Sequence, residues 1–184
     1  MSVRASILAI LTLGSGYGLQ VHAEIENRTA RAGEINVGQI YSTLARLKTA
    51  GLVQVRSATS DGLPLYELTP DGRAEAEHWL TSVDPTTGPA WSDMVNHLLL
   101  ASSLPSAELS ALVSGYRALW LDAAAARVTR AAQAEELRAA ANRAVAEAAL
   151  AWLAHFETRE VAPLDYTMAR PRRGRRPAST LVLN

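Results

Sequence analysis

Gln39, Ser42 and Arg46 stand three and four residues apart, so at helical pitch they share one face, with Thr43 beside them. An amide, a hydroxyl and a guanidinium in such a row are suited to hydrogen-bonding base edges, Gln to adenine and Arg to guanine. Lys48 follows, and Arg28 and Arg56 flank the stretch with further cations that suit phosphate. Between Arg28 and Arg56 the charged residues are Arg28, Arg31, Glu34, Arg46, Lys48 and Arg56, so this region is locally basic. The whole chain carries 18 basic and 18 acidic side chains and a net charge of zero. Affinity for duplex rests on phosphate neutralisation, so the distribution of charge matters more here than its sum.

These side chains need a helix and its supports. Ile40, Leu44 and Leu47 lie at i, i+4 and i+7, an apolar stripe that buries one side of the same helix. Asn36 precedes it with Gln39 three residues on, the spacing of a reciprocal capping box. Gly38 in the first turn has two readings, a bare backbone open to a phosphate at the helix N-terminus or a packing glycine. Gly51 is placed to stop the helix. From Leu52 the period changes: Leu52, Val53 and Val55 face Leu65, Tyr66 and Leu68 across Ser60-Asp61-Gly62, a hairpin. Thr69-Pro70-Asp71-Gly72 opens another helix, with Thr69 or Asp71 as its cap and Trp79 and Leu80 as its anchors. Helix followed by a projecting hairpin is the pattern of a winged helix-turn-helix. The fold class expected is mainly α with a small β wing: an N-terminal winged helix-turn-helix and a C-terminal helical dimerisation domain.

At these residues the chain resembles the PadR family of bacterial transcriptional regulators. The resemblance is carried in order by Gly16-Tyr17-Gly18-Leu19, by Gly38 with Ile40-Tyr41 and Leu44, by Gly51-Leu52-Val53, and by Tyr66-Glu67-Leu68-Thr69 with Gly72. It extends over nearly everything up to about Glu160, as in the longer-tailed branch whose C-terminal helices make the dimer. It implies a dimeric regulator, with repression by occupancy of a promoter as the default. Two departures stand out. Gln39 and Ser42 replace the usual Ser or Thr and Pro, which implies a different base preference. The wing exit reads Gly62-Leu63-Pro64-Leu65 where basic residues are usual, leaving Arg56 alone to charge the wing.

The DNA-binding set expected is therefore Tyr17, Arg28, Asn36, Gly38, Gln39, Tyr41, Ser42, Arg46, Lys48 and Arg56. Tyr17, Arg28, Tyr41, Lys48 and Arg56 would position the protein on phosphates, and Gln39, Ser42 and Arg46 would read bases. Tyr41 has a second reading, packing against the preceding helix.

Domain boundaries follow from composition. Residues 1–83 form the DNA-binding domain, and the turn-rich Asp84-Pro85-Thr86-Thr87-Gly88-Pro89 opens a linker over 84–93. Residues 94–160 form a helical domain, in which Leu109, Leu112, Val113, Tyr116, Leu119 and Trp120 make one apolar run and Leu137, Val145, Ala149, Trp152, Leu153 and Phe156 another. A turn near Thr129 to Ala134 and one continuous helix are both compatible with the sequence. Helices so rich in Ala need a second copy to cover them, and a homodimer presenting two recognition helices about 34 Å apart prefers an inverted-repeat operator. Residues 161–184 are expected to be a disordered tail, basic through Arg170-Pro171-Arg172-Arg173-Gly174-Arg175-Arg176-Pro177. It could be a DNA-contacting arm or a solubilising tail, and Asp165 and Tyr166 could tie its root to the body.

Trp91, Met94, His97, Tyr116, Trp120 and Trp152 together could stack a small aromatic effector, or be ordinary core. With no Cys there is no disulfide, thiolate nucleophile or Cys-based zinc site. His22, His78, His97 and His155 lack paired-ligand spacing, and no phosphate-cradling glycine motif occurs, so neither an enzyme, a metal nor a cofactor is expected. The apolar run from Ala5 to Leu13 suits a first core helix better than a signal peptide, given Arg4, Ser6 and Thr12. No apolar run reaches membrane-spanning length, and a cytoplasmic location is expected. The competing reading is a dimeric small-molecule-binding or protein-interaction module that does not bind DNA in a sequence-specific way.

Overall fold

The computed structural model describes residues 2–31, 33–59, 62–86, 88–105, 108–126 and 132–166. Among them are seven helices and one two-stranded sheet, a mostly helical winged-helix fold. The first helix, α1 (Val3–Leu11), is buried at six consecutive positions from Ser6 to Leu11 rather than along one stripe. A helix apolar on all sides belongs at the centre. It packs against α2 (Gly18–Thr29), α3 (Val37–Thr49) and α4 (Pro70–Thr81).

The wing is β1 (Val53–Ala58) paired antiparallel with β2 (Pro64–Leu68). Val53 faces Leu68 and Val55 faces Tyr66, but Ser57 faces Leu65, so Arg56 is the extra residue of a bulge. A bulge bends its strand and re-aims its side chain. Of the expected turn, Ser60 and Asp61 lie outside the described residues, whereas Gly62 takes φ +81°. Thr69 rather than Asp71 caps α4: its hydroxyl accepts from Gly72 N–H at 3.1 Å and donates to Gly51 C=O at 2.7 Å. Gly72 is required because a Cβ there would strike the Leu52 carbonyl. The wing is thus bolted to the start of α4.

The remaining helices are α5 (Trp91–Ser102), α6 (Leu109–Ala125) and α7 (Gln133–Glu157). α6 ends at Ala125 and α7 begins at Gln133, and Ala126 and Ala132 are not helical, which removes the single continuous helix; 127–131, with part of the expected turn, lie outside the described residues. α5 starts at Trp91, inside the stretch expected to be linker, and packs on both α2 and α6. α7 divides into two halves. Ala146, Ala149, Leu153 and Phe156 are buried, whereas Leu137 and Val145 are 65% and 45% exposed. Among the described residues no helix is long and apolar enough to cross a membrane.

Candidate nucleic-acid interface

α3 is held from below and open from above. Ile40, Leu44 and Leu47 are fully buried against α1 and α2, as their spacing required. Thr43 is buried with them, so it leaves the outer face on which the sequence had placed it. Gln39, Tyr41, Ser42, Arg46 and Lys48 are exposed.

The start of the helix is simpler than a capping box. Asn36 Oδ1 accepts from Gly38 N–H at 2.7 Å, and the amide of Gln39 makes no reciprocal bond among the described residues. Gly38 is exposed, and a Cβ there would meet only that same Oδ1 at 3.1 Å, so it is not a packing glycine. Gln39 keeps its donors and acceptor for a partner. Ser42 hydroxyl donates to Gln39 C=O at 3.1 Å and retains its acceptor lone pairs. Arg46 lies back along the helix, its Nε donating to Ser42 C=O and a terminal nitrogen to Thr43 Oγ1, both at 3.3 Å. Both are neutral acceptors, so no carboxylate competes for its charge. Lys48 likewise has no ion-pair partner among the described residues.

Tyr41 realises part of both its readings. Its ring sits on Gly18, where a Cβ would stand 2.6 Å from the ring edge, yet the residue remains exposed. Arg56 on the wing bulge is open to solvent but within 3.4 Å of Glu67, which also accepts from Gln54 at 2.8 Å.

Two expected residues are displaced from this face. Arg28 is buried, its side chain wholly inaccessible: Nε donates to Glu24 at 2.8 Å and the terminal nitrogens donate to the carbonyls of Ser103, Leu164 and Asp165. Its charge holds α2 to the end of α5 and to the chain beyond α7, and cannot reach a phosphate. The i,i+4 spacing of Glu24 and Arg28 was the available signal. Tyr17 is buried at the N-cap of α2 and does not face outward either.

Residues 7–78, which include all of this apparatus, match the model of the transcriptional regulator PadR-like family. Over this stretch the chain is similar to that family. That family is one of transcriptional regulators, not of enzymes. Among solved structures, the chain is similar to Bacillus subtilis PadR in complex with operator DNA, at 19% identity over 85% of this chain and 96% of that one, with a TM-score of 0.41. The same protein in complex with p-coumaric acid gives the same values. No curated protein matches the sequence significantly.

Beyond the PadR-like module, the six aromatic and sulfur residues expected to form one pocket are distributed over a seam. His97 of α5 stacks on Trp79 of α4 at 3.8 Å. Its Nε2 donates to Trp79 C=O at 2.9 Å, and its Nδ1 accepts from Tyr116 hydroxyl of α6 at 2.8 Å. The carbonyl can only accept, so Nε2 carries a proton, and in the neutral ring that leaves Nδ1 to accept from the phenol. Burial, partly opposed by the Trp79 carbonyl, lowers the His97 pKa to about 4. Burial likewise raises that of Tyr116. Trp120 N–H points at the sulfur of buried Met94 at 3.0 Å.

The set is divided between cavities. One of about 440 Å³ includes His97 and Tyr116 with Trp79, Val83, Asp84 and Asp93. Another, of about 400 Å³, includes Trp91 and Trp120 with Ala123, Asn142 and Val145. Trp152 lines neither cavity, packing instead edge-on to Trp91 and stacked on Phe156. Among the described residues no group of His, Asp and Glu could hold a metal ion.

Proposed function

We propose that this chain is a cytoplasmic, homodimeric transcriptional regulator that represses by occupying an inverted-repeat operator. The observation that carries the reading is the outer face of α3, where Gln39, Ser42 and Arg46 stand exposed with no carboxylate partner. In this mechanism Gln39 and Arg46 take base edges in the major groove, and Ser42 adds a short polar contact. Tyr41, Lys48 and Arg56 hold phosphates, and Asn36 and Gly38 set the helix start against the backbone. Residues 1–83 form the DNA-binding unit and 94–160 the dimerisation unit, which α5 packs against α2. The exposed Leu121, Leu137 and Val145 on α6 and α7 support the dimer, since apolar side chains that no element of this chain covers need a second copy.

The effector is a small planar aromatic compound seated in the 400 Å³ cavity. Trp91 and Trp120 give it stacking walls and Asn142 a polar handle.

Titrating the protein against the duplex upstream of its own gene and against a scrambled duplex, at two salt concentrations, tests the reading. A salt-sensitive shift confined to the upstream duplex is expected. Equal or absent binding to both would favour a binding module without sequence-specific DNA recognition.

A further inference from the structure

The chain beyond α7 returns to the winged-helix module. Leu164 N–H donates to Ser103 C=O at 3.0 Å, and the buried Arg28 holds the carbonyls of Leu164 and Asp165 at 3.3 and 3.1 Å. Tyr166 hydroxyl then donates to Ser15 C=O at 3.2 Å. Its ring lies along Gly14 and Gly16, and a Cβ on Gly16 would stand 2.6 Å from the hydroxyl. Burial first, then the nearby Glu24, pushes its pKa up to about 12, so the phenol stays a donor. Residues 161–166, assigned to the tail on sequence, are therefore part of the fold, whereas the Arg-rich stretch 170–177 lies outside the described residues.

The turn that Tyr166 touches, Gly14-Ser15-Gly16-Tyr17-Gly18, joins α1 to α2 and supports both parts of the DNA face. Towards the wing, Gly16 pairs with Tyr66 of β2: Gly16 N–H donates to Tyr66 C=O at 3.0 Å and Tyr66 N–H to Gly16 C=O at 2.9 Å. Tyr66 in turn faces Val55, the residue before the Arg56 bulge. Towards α3, Gly18 seats the ring of Tyr41, so closely that a Cβ there would stand 2.6 Å from it. Both approaches require glycine, and three glycines in five residues leave the turn little stiffness of its own. A support of this kind is only as precise as what holds it.

We infer that Tyr166 is a positioning residue for DNA recognition: by bracing the turn at residues 14–18 it fixes the wing relative to the recognition helix. It acts through the Gly16–Tyr66 pair and through the Gly18 seat of Tyr41, and needs no contact with DNA itself. Its own place is set by Arg28 and by the Leu164–Ser103 bond, so the brace is anchored at the end of α5. A specific complex requires wing and helix to meet the duplex together, whereas loose attachment to phosphates tolerates misalignment. The inference rests on the DNA-binding reading and adds to it a residue from beyond the last helix.

The test reads amide hydrogen exchange and DNA binding in the full chain carrying Tyr166→Ala or Tyr166→Phe. With Ala, the Gly16 and Tyr66 amides are expected to exchange about tenfold faster, while those of Leu44 and Leu47 in α3 stay as protected as before. Operator affinity is expected to fall about fivefold, and affinity for a scrambled duplex by less than about twofold. Phe keeps the ring on the glycines and loses only the bond to Ser15, so it should lie between parent and Ala in both readouts. Unchanged exchange at Gly16 and Tyr66 overturns the brace. Faster exchange with unchanged operator affinity overturns the positioning role and leaves a contact that serves the fold alone. Equal losses on both duplexes, or lower protection throughout α3, mark general loosening and overturn it as well. If the Ala variant does not fold, the Phe variant decides by the same criteria. Failure of the parent to bind either duplex removes the DNA reading and the positioning role with it, and the exchange result tells that case from a failed brace.

Discussion

The outer face of α3 and the seam around Arg28 and His97 carry the same kinds of side chain and use them in opposite ways. At the seam each ring nitrogen of His97 and each nitrogen of the Arg28 guanidinium has a partner within the protein. On α3, Arg46 meets only neutral acceptors of its own helix, and Gln39 makes no side-chain bond among the described residues. Polar groups satisfied inside the fold stabilise it, whereas those left open are available to a partner. The difference separates residues that look functional by type from residues placed to function.

Replacing Arg28 breaks this comparison most severely if it is wrong. Arg28→Ala removes the partner of the Glu24 carboxylate and of the Leu164 and Asp165 carbonyls, and should lower folding stability by about 3–5 kcal/mol. Chemical denaturation reads this directly. An unchanged midpoint together with weaker DNA binding would restore Arg28 to the interface.

His97 sharpens the same side through pH. Its pKa is about 4 in the fold and near 6.5 when unfolded, so the unfolded chain takes up the proton first as pH falls. Stability is full above about pH 6.5, is lost progressively toward pH 4 and levels off below, by up to about 3 kcal/mol. His97→Gln should flatten that part of the curve. Asp84 and Asp93 are the carboxylates that line the same cavity. Parallel curves for parent and variant would show that the buried imidazole is not the group responsible.

On the open side, Arg46→Ala should leave the melting temperature in place and weaken operator binding by roughly 1–3 kcal/mol with relaxed base choice. Lys48→Ala should weaken operator and scrambled duplex alike. Equal losses on both duplexes for Arg46→Ala would make it a phosphate contact. The smallest effect belongs to the wing: Glu67→Gln frees Arg56 and should strengthen binding by less than about 1 kcal/mol, since the pair is exposed. A larger gain would make the wing a principal contact.

The sequence made some of this legible and concealed the rest for identifiable reasons. The α3 stripe and the wing strands were readable because both depend on local periodicity, and Ile40, Leu44 and Leu47 occupy the buried side their spacing requires. The bulge at Arg56 was not, because register depends on the partner strand. Arg28 was misplaced because its partners, Ser103, Leu164 and Asp165, are more than seventy residues away. Which rings of the aromatic set share a cavity was hidden for a related reason: it depends on how α5 packs on α4 and α6, and periodicity does not encode it. The division of α7 into a buried and an exposed half likewise depends on where α6 ends.

Guanine-methylation interference on the operator, with parent and Arg46→Ala side by side, tests the claim that the open face of α3 reads DNA. The account predicts that methylating N7 of specific guanines, placed symmetrically in two half-sites one helical turn apart, blocks the parent but no longer matters to Arg46→Ala. An interference pattern identical in the two proteins would contradict it.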